Sequence, residues 1–113
     1  MELKVVKQDD DLTHIALAGR LDVAGEQEIR EQLLGEIVTR KKPLLVDMTA
    51  VSFLGSMGLG LLFQCAKTLR VDGAKMVVLN PQPMIAQVLE GSGVSEIVQI
   101  APDMKKALKV LGF

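Results

Sequence analysis

The apolar positions change period along the chain, and each change marks an element. Leu3 to Val6 reads as a short strand. His14-Ile15-Ala16-Leu17-Ala18 alternates and meets Gly19, which predicts a second strand. Asp9-Asp10-Asp11 lies between them as a solvated turn. The spacing then becomes helical. Ile29, Leu33, Ile37 and Val38 fall on one stripe, with Glu26, Glu28, Arg30 and Glu31 on the opposite face. Asp22 is the candidate N-cap of this helix, and Arg40-Lys41-Lys42 before Pro43 marks its end.

Pro43 to Met48 is apolar without alternation, as in a strand covered on both faces. A loop is expected from Thr49 to Gly55. Leu59, Leu62, Phe63, Ala66 and Leu69 trace a helix ending near Asp72-Gly73. Lys75 to Leu79 is another buried strand, and Asn80-Pro81-Gln82-Pro83 turns into a helix carrying Ile85, Val88 and Leu89. Gly91 and Gly93 stop it, Ile97 to Ile100 forms a last short strand, and Met104, Ala107, Leu108 and Leu111 a closing helix. The order is β-β-α-β-α-β-α-β-α. Strands alternating with helices require crossovers, so the class is α/β. The expectation is one domain over 1–113, with a mixed, mostly parallel sheet of four to five strands covered by about four helices.

Size and composition narrow the function. The 113 residues suit a single domain of the usual size, roughly 100–150 residues. No stretch approaches the roughly 18 apolar residues of a membrane span, and Met1-Glu2-Leu3-Lys4 has no signal-peptide pattern. Thirteen basic against fourteen acidic residues argue against nucleic-acid binding, as does the absence of Trp and Tyr. Cys65 is the one cysteine and His14 the one histidine, so there is no zinc cluster and no intrachain disulfide; a cytoplasmic location fits. His14 is expected to be exposed and inert, Cys65 to be a buried small hydrophobe, and Asp47 to hydrogen-bond the loop after its strand. Lys67 and Arg70 are read as a solvated face that could meet an acidic partner.

The densest signal is Val51-Ser52-Phe53-Leu54-Gly55-Ser56-Met57-Gly58-Leu59-Gly60, which joins a buried strand to a helix. Functional sites of open α/β sheets gather at this end of the strands. Ser56 sits where the helix begins. Free amides and the helix dipole there favour an anion, so a phosphate on Ser56 would be tolerated by its own domain. Such a phosphate could still block a partner that buries the same surface. The alternative is that Ser56 is a plain N-cap. The glycines are in the reverse spacing of a dinucleotide fingerprint and lack a P-loop ending, which speaks against nucleotide chemistry.

Gly19-Arg20-Leu21-Asp22, Leu45-Val46-Asp47-Met48, and Val51-Ser52-Phe53-Leu54 leading into Ser56-Met57-Gly58-Leu59-Gly60 together resemble STAS domains. The likeness is greatest to bacterial anti-sigma factor antagonists. It spans essentially the whole chain, including Gly73-Ala74-Lys75 and Gly91-Ser92-Gly93. The resemblance implies a non-enzymatic switch without a cofactor. Such a protein binds an anti-sigma factor that is also a serine kinase, thereby freeing a sigma factor. The kinase then phosphorylates the serine matching Ser56, the complex parts, and a serine phosphatase resets it. The expected contact residues are Asp22, Gly55, Ser56, Met57 and Gly58, on a protein that is monomeric when free. Two positions depart from the family pattern: Gly55 replaces an aspartate and Met57 a small residue. They favour an alternative, an unphosphorylated accessory STAS subunit of a larger assembly such as a lipid-transport ATPase.

Overall fold

The computed structural model describes residues 1–113. Strand β1 (Glu2–Gln8) turns at Asp9 into β2 (Thr13–Leu21). Asp9 accepts bonds from the amides of Asp11 and Leu12, both at 2.9 Å, so the acidic run folds its own turn. Helix α1 (Val23–Arg40) leads to β3 (Leu44–Leu54), α2 (Ser56–Val71) to β4 (Met76–Leu79), and α3 (Pro83–Gly91) to β5 (Gln99–Ala101). A 3₁₀ turn at Val94–Glu96 precedes β5, and α4 (Met104–Val110) closes the chain. The sheet order is β1-β2-β3-β4-β5; β1 is antiparallel to β2 and the rest are parallel.

Each parallel strand is laid beside its predecessor in one direction. Right-handed crossovers then put their helices on one face. Accordingly α1, α2 and α3 cover one side, with Ile29, Leu33, Leu62, Leu69, Ile85 and Leu89 meeting Ile15, Leu17, Val46, Met48 and Val78 of the sheet. Helix α4 follows the last strand and is not a crossover. It packs on the opposite face, with Ala107 and Leu111 against Leu45, Val77 and Leu79. Because β3 and β4 serve both cores, their sequences run apolar without alternation.

Several expectations need correction. Strand β2 does not stop at Gly19. It passes through that residue at φ +108°, the register slips, and pairing resumes at Arg20 and Leu21. This extension gives β3 a partner beyond Met48, so the expected loop from Thr49 is strand as far as Leu54. The slips break the two-residue period there: Val51 and Leu54 are buried while Ser52 and Phe53 are exposed. The last strand begins at Gln99 rather than Ile97, because the 3₁₀ turn occupies the preceding residues. Val38 and Phe63, expected in the core, are exposed, and Val88 sits at the solvent edge. Leu61 and Cys65 take the buried places on α2 instead.

Glu26, expected on the wet face of α1, is 3% exposed. Arg30 Nη1 bonds its carboxylate at 2.6 Å, and Arg30 Nη2 reaches Gln64 Oε1 at 2.7 Å, tying α1 to α2. His14 is half-buried rather than exposed, and its Nε2 is sealed without a hydrogen-bond partner.

Candidate functional site

The carboxyl ends of β2, β3 and β4 point the same way, and α1, α2 and α3 start from them. Asp22 and Ser56 are brought to this shared end through one residue, Leu21. Gly55 N–H donates to the Leu21 carbonyl at 3.1 Å, and Asp22 follows Leu21 directly.

Asp22 caps α1. Its Oδ1 accepts the Gly25 amide at 2.8 Å, and Oδ2 lies 3.5 Å from Arg20 Nε. The Gly25 bond, reinforced by Arg20, holds its carboxyl below the usual carboxylate range. Gly25 has no alternative, since a Cβ there would lie 2.1 Å from the Arg20 carbonyl.

The cap of α2 is Gly55, in extended backbone at φ −100° and ψ −178°. Ser56 is therefore the first helical residue and not the cap. It is exposed, and no hydrogen bond within the chain engages its hydroxyl. The first intrahelical bond runs from the Leu59 amide to the Gly55 carbonyl at 3.0 Å, leaving the amides of Ser56, Met57 and Gly58 without helical acceptors. Gly58 is buried and holds the helix start down: a Cβ would come within 2.6 Å of Leu21 Cγ and 2.9 Å of Leu54 Cδ1. Met57 projects outward, 46% exposed.

Position 55 is tight but does not demand glycine: its backbone suits any residue, and a Cβ would come 3.1 Å from the Phe53 ring, an exposed side chain that would have to shift. The Arg20 guanidinium rests over that same ring, 4.4 Å from its centroid. An aromatic ring topped by a cation thus stands against position 55. Arg20 and Phe53 lie in segments that resemble the STAS pattern, but the sequence alone assigns neither a functional role. Their pairing depends on the β2–β3 register, which sets Arg20 opposite Phe53.

Neighbouring polar contacts are structural. Asp47 Oδ1 accepts from the Thr49 amide at 2.9 Å and its hydroxyl at 2.6 Å; the expected bond thus falls within β3 rather than to a loop. Asn80 and Gln82 donate to Thr49 from the turn before α3. Cys65 is fully buried, and that burial raises its thiol pKa to about 12. No helix is long and apolar enough to cross a membrane.

The STAS domain model matches residues 4–107. The chain belongs to the STAS domain family. Among relatives, the anti-sigma-B factor antagonist of Listeria monocytogenes is 27% identical over 100 residues, covering 88% of each chain. Of solved structures, the anti-sigma factor antagonist SpoIIAA in its unphosphorylated form superposes with a TM-score of 0.81 at 22% identity, covering 99% of this chain and 98% of that one. The phosphorylated form of the Bacillus cell fate determinant SpoIIAA gives 0.72 at 22% identity, covering 96% and 99%. These structures share the STAS fold with this chain: five strands in a mixed sheet with four helices.

Proposed function

We propose that this STAS domain is an anti-sigma factor antagonist controlled at Ser56. The partner is an anti-sigma factor with serine kinase activity, and its capture frees a sigma factor. The observation that carries this reading is the position of Ser56. Gly55 does the capping, so the Ser56 hydroxyl stays unengaged on an exposed first turn. The relatives named as antagonists support the class of partner.

The chain acts as a binding module and not as an enzyme. Nothing prepares Ser56 as a nucleophile: Asp22, the carboxylate at the same end, is committed to Gly25 and Arg20. The kinase supplies base and nucleotide. Phosphorylation adds about −1.5 to −2 charges next to three amides without acceptors, so the domain accommodates the group. The partner, having buried an uncharged turn, loses its fit. A serine phosphatase restores the surface. The proposed contact set is Asp22, Gly55, Ser56 and Met57, joined by Arg20 and Phe53; Gly58, expected in this set, is buried and supports the turn from beneath.

The test uses the purified antagonist and its kinase partner. Wild type mixed with ATP should gain one phosphoryl group at Ser56 and dissociate. Ser56→Ala should bind and stay bound, and Ser56→Asp should bind at least about tenfold more weakly. A second reading, the accessory subunit, draws on Gly55 and Met57, which depart from the family pattern. It predicts a complex indifferent to ATP and to Ser56→Asp, and that result would overturn the switch.

A further inference from the structure

A cleft of about 300 Å³ opens at the far end of α2, away from Ser56. It lies between the last turns of α2, the turn into β4 and the 3₁₀ turn before β5. Pairing between β4 and β5 begins at Val77 and Gln99, so only Met76 of β4 lacks a β5 neighbour, and the cleft opens beside it. Its apolar lining comes from Ala66, Ala74, Met76 and Ile97, and its charged lining from Arg70, Lys75 and Glu96. None of these three charged groups forms an ion pair elsewhere.

We propose that this cleft binds a small monocarboxylate with a compact apolar body. The volume is at the lower end of ligand sites, which sets the size. The apolar lining takes the body, and Arg70 and Lys75 take the carboxylate. Glu96 reduces the lining to one net positive charge, which a monocarboxylate matches, whereas a phosphate dianion would carry a second charge that must be desolvated without a partner. The negative end of α2 works against an anion, but bonding of its carbonyls weakens it and Arg70 and Lys75 outweigh it. The carbonyls of Leu69 and Arg70 are already bonded by the amides of Asp72, Gly73 and Ala74. An occupant would touch the helix that begins at Ser56 without covering that residue, so this site is independent of the proposed switch.

The test is a titration of the full chain with benzoate, followed by ¹⁵N amide shifts, beside benzyl alcohol and phenyl phosphate. Saturable shifts should map to Ala66, Met76 and Ile97. Benzyl alcohol should bind about tenfold more weakly, the difference one charge-assisted contact makes, and phenyl phosphate more weakly than benzoate because its second charge is desolvated without a partner. Arg70→Gln should weaken benzoate by about the same factor, while Lys67→Gln, a cation on the same helix outside the cleft, should leave it unchanged. The proposal fails if the alcohol or the phosphate equals benzoate, if Lys67→Gln costs as much as Arg70→Gln, if the shifts lie elsewhere, or if none saturates.

Discussion

Gly58 and Gly60 lie two residues apart on α2 and answer opposite demands. A Cβ at 58 would collide with Leu21 and Leu54, whereas one at 60 would meet nothing within 4 Å. Gly58→Ala should therefore cost about 1–3 kcal/mol through overpacking. Gly60→Ala should add about 0.5–1 kcal/mol by removing backbone freedom from the unfolded chain. Urea unfolding of the two variants checks both signs. In the sequence Gly55, Gly58 and Gly60 look alike, because what separates them is the neighbour facing the absent Cβ. Ser56 was placed correctly at a helix start, but its choice between cap and first helical residue turned on one position of backbone. Cys65 could be read as buried from its place beside the Leu62–Ala66 stripe. With its thiol pKa raised to about 12 by burial, it should resist iodoacetamide in native protein and react only on unfolding. Peptide mapping after a timed pulse would show this.

Among the elements, helices and strands were legible in order because the apolar period switches cleanly between them. Their ends were less so. The continuation of β2 past Gly19 and of β3 past Met48 is a mutual arrangement: each strand's extra residues pair with the other's, and neither is visible alone. Glu26 was misplaced for a related reason. Its burial depends on Arg30 reaching both it and Gln64 on the next helix. Arg30→Met should leave a buried acceptor unpaired and cost about 1–3 kcal/mol in urea unfolding. Glu26→Leu in the same background should recover part of that loss, because the orphaned carboxylate is gone.

At the scale of the whole molecule, three helices on one face and one on the other leave the β1–β2 side of the sheet thinly covered. His14 lies there, half-buried, next to Lys7 on β1 and near Asp47 on β3. Burial lowers its pKa, Lys7 adds to that, and Asp47 opposes it. The unfolded chain therefore takes up this proton before the folded one does. Stability should fall as pH drops from the unfolded value near 6.5 toward the lower folded value, and His14→Gln should flatten that part of the curve. Melting temperatures across this range would show it. At the other end of the sheet, Leu21 ties two helix starts to one strand through the Gly55 bond and the packing under Gly58. A mark set on Ser56 has little slack into which it could relax. It would be read at contact, with no rearrangement to delay the reading, and under the proposed switch it would last until the phosphatase cleaves it. Under the proposed switch, such a domain would keep time by chemistry on its surface rather than by motion in its interior.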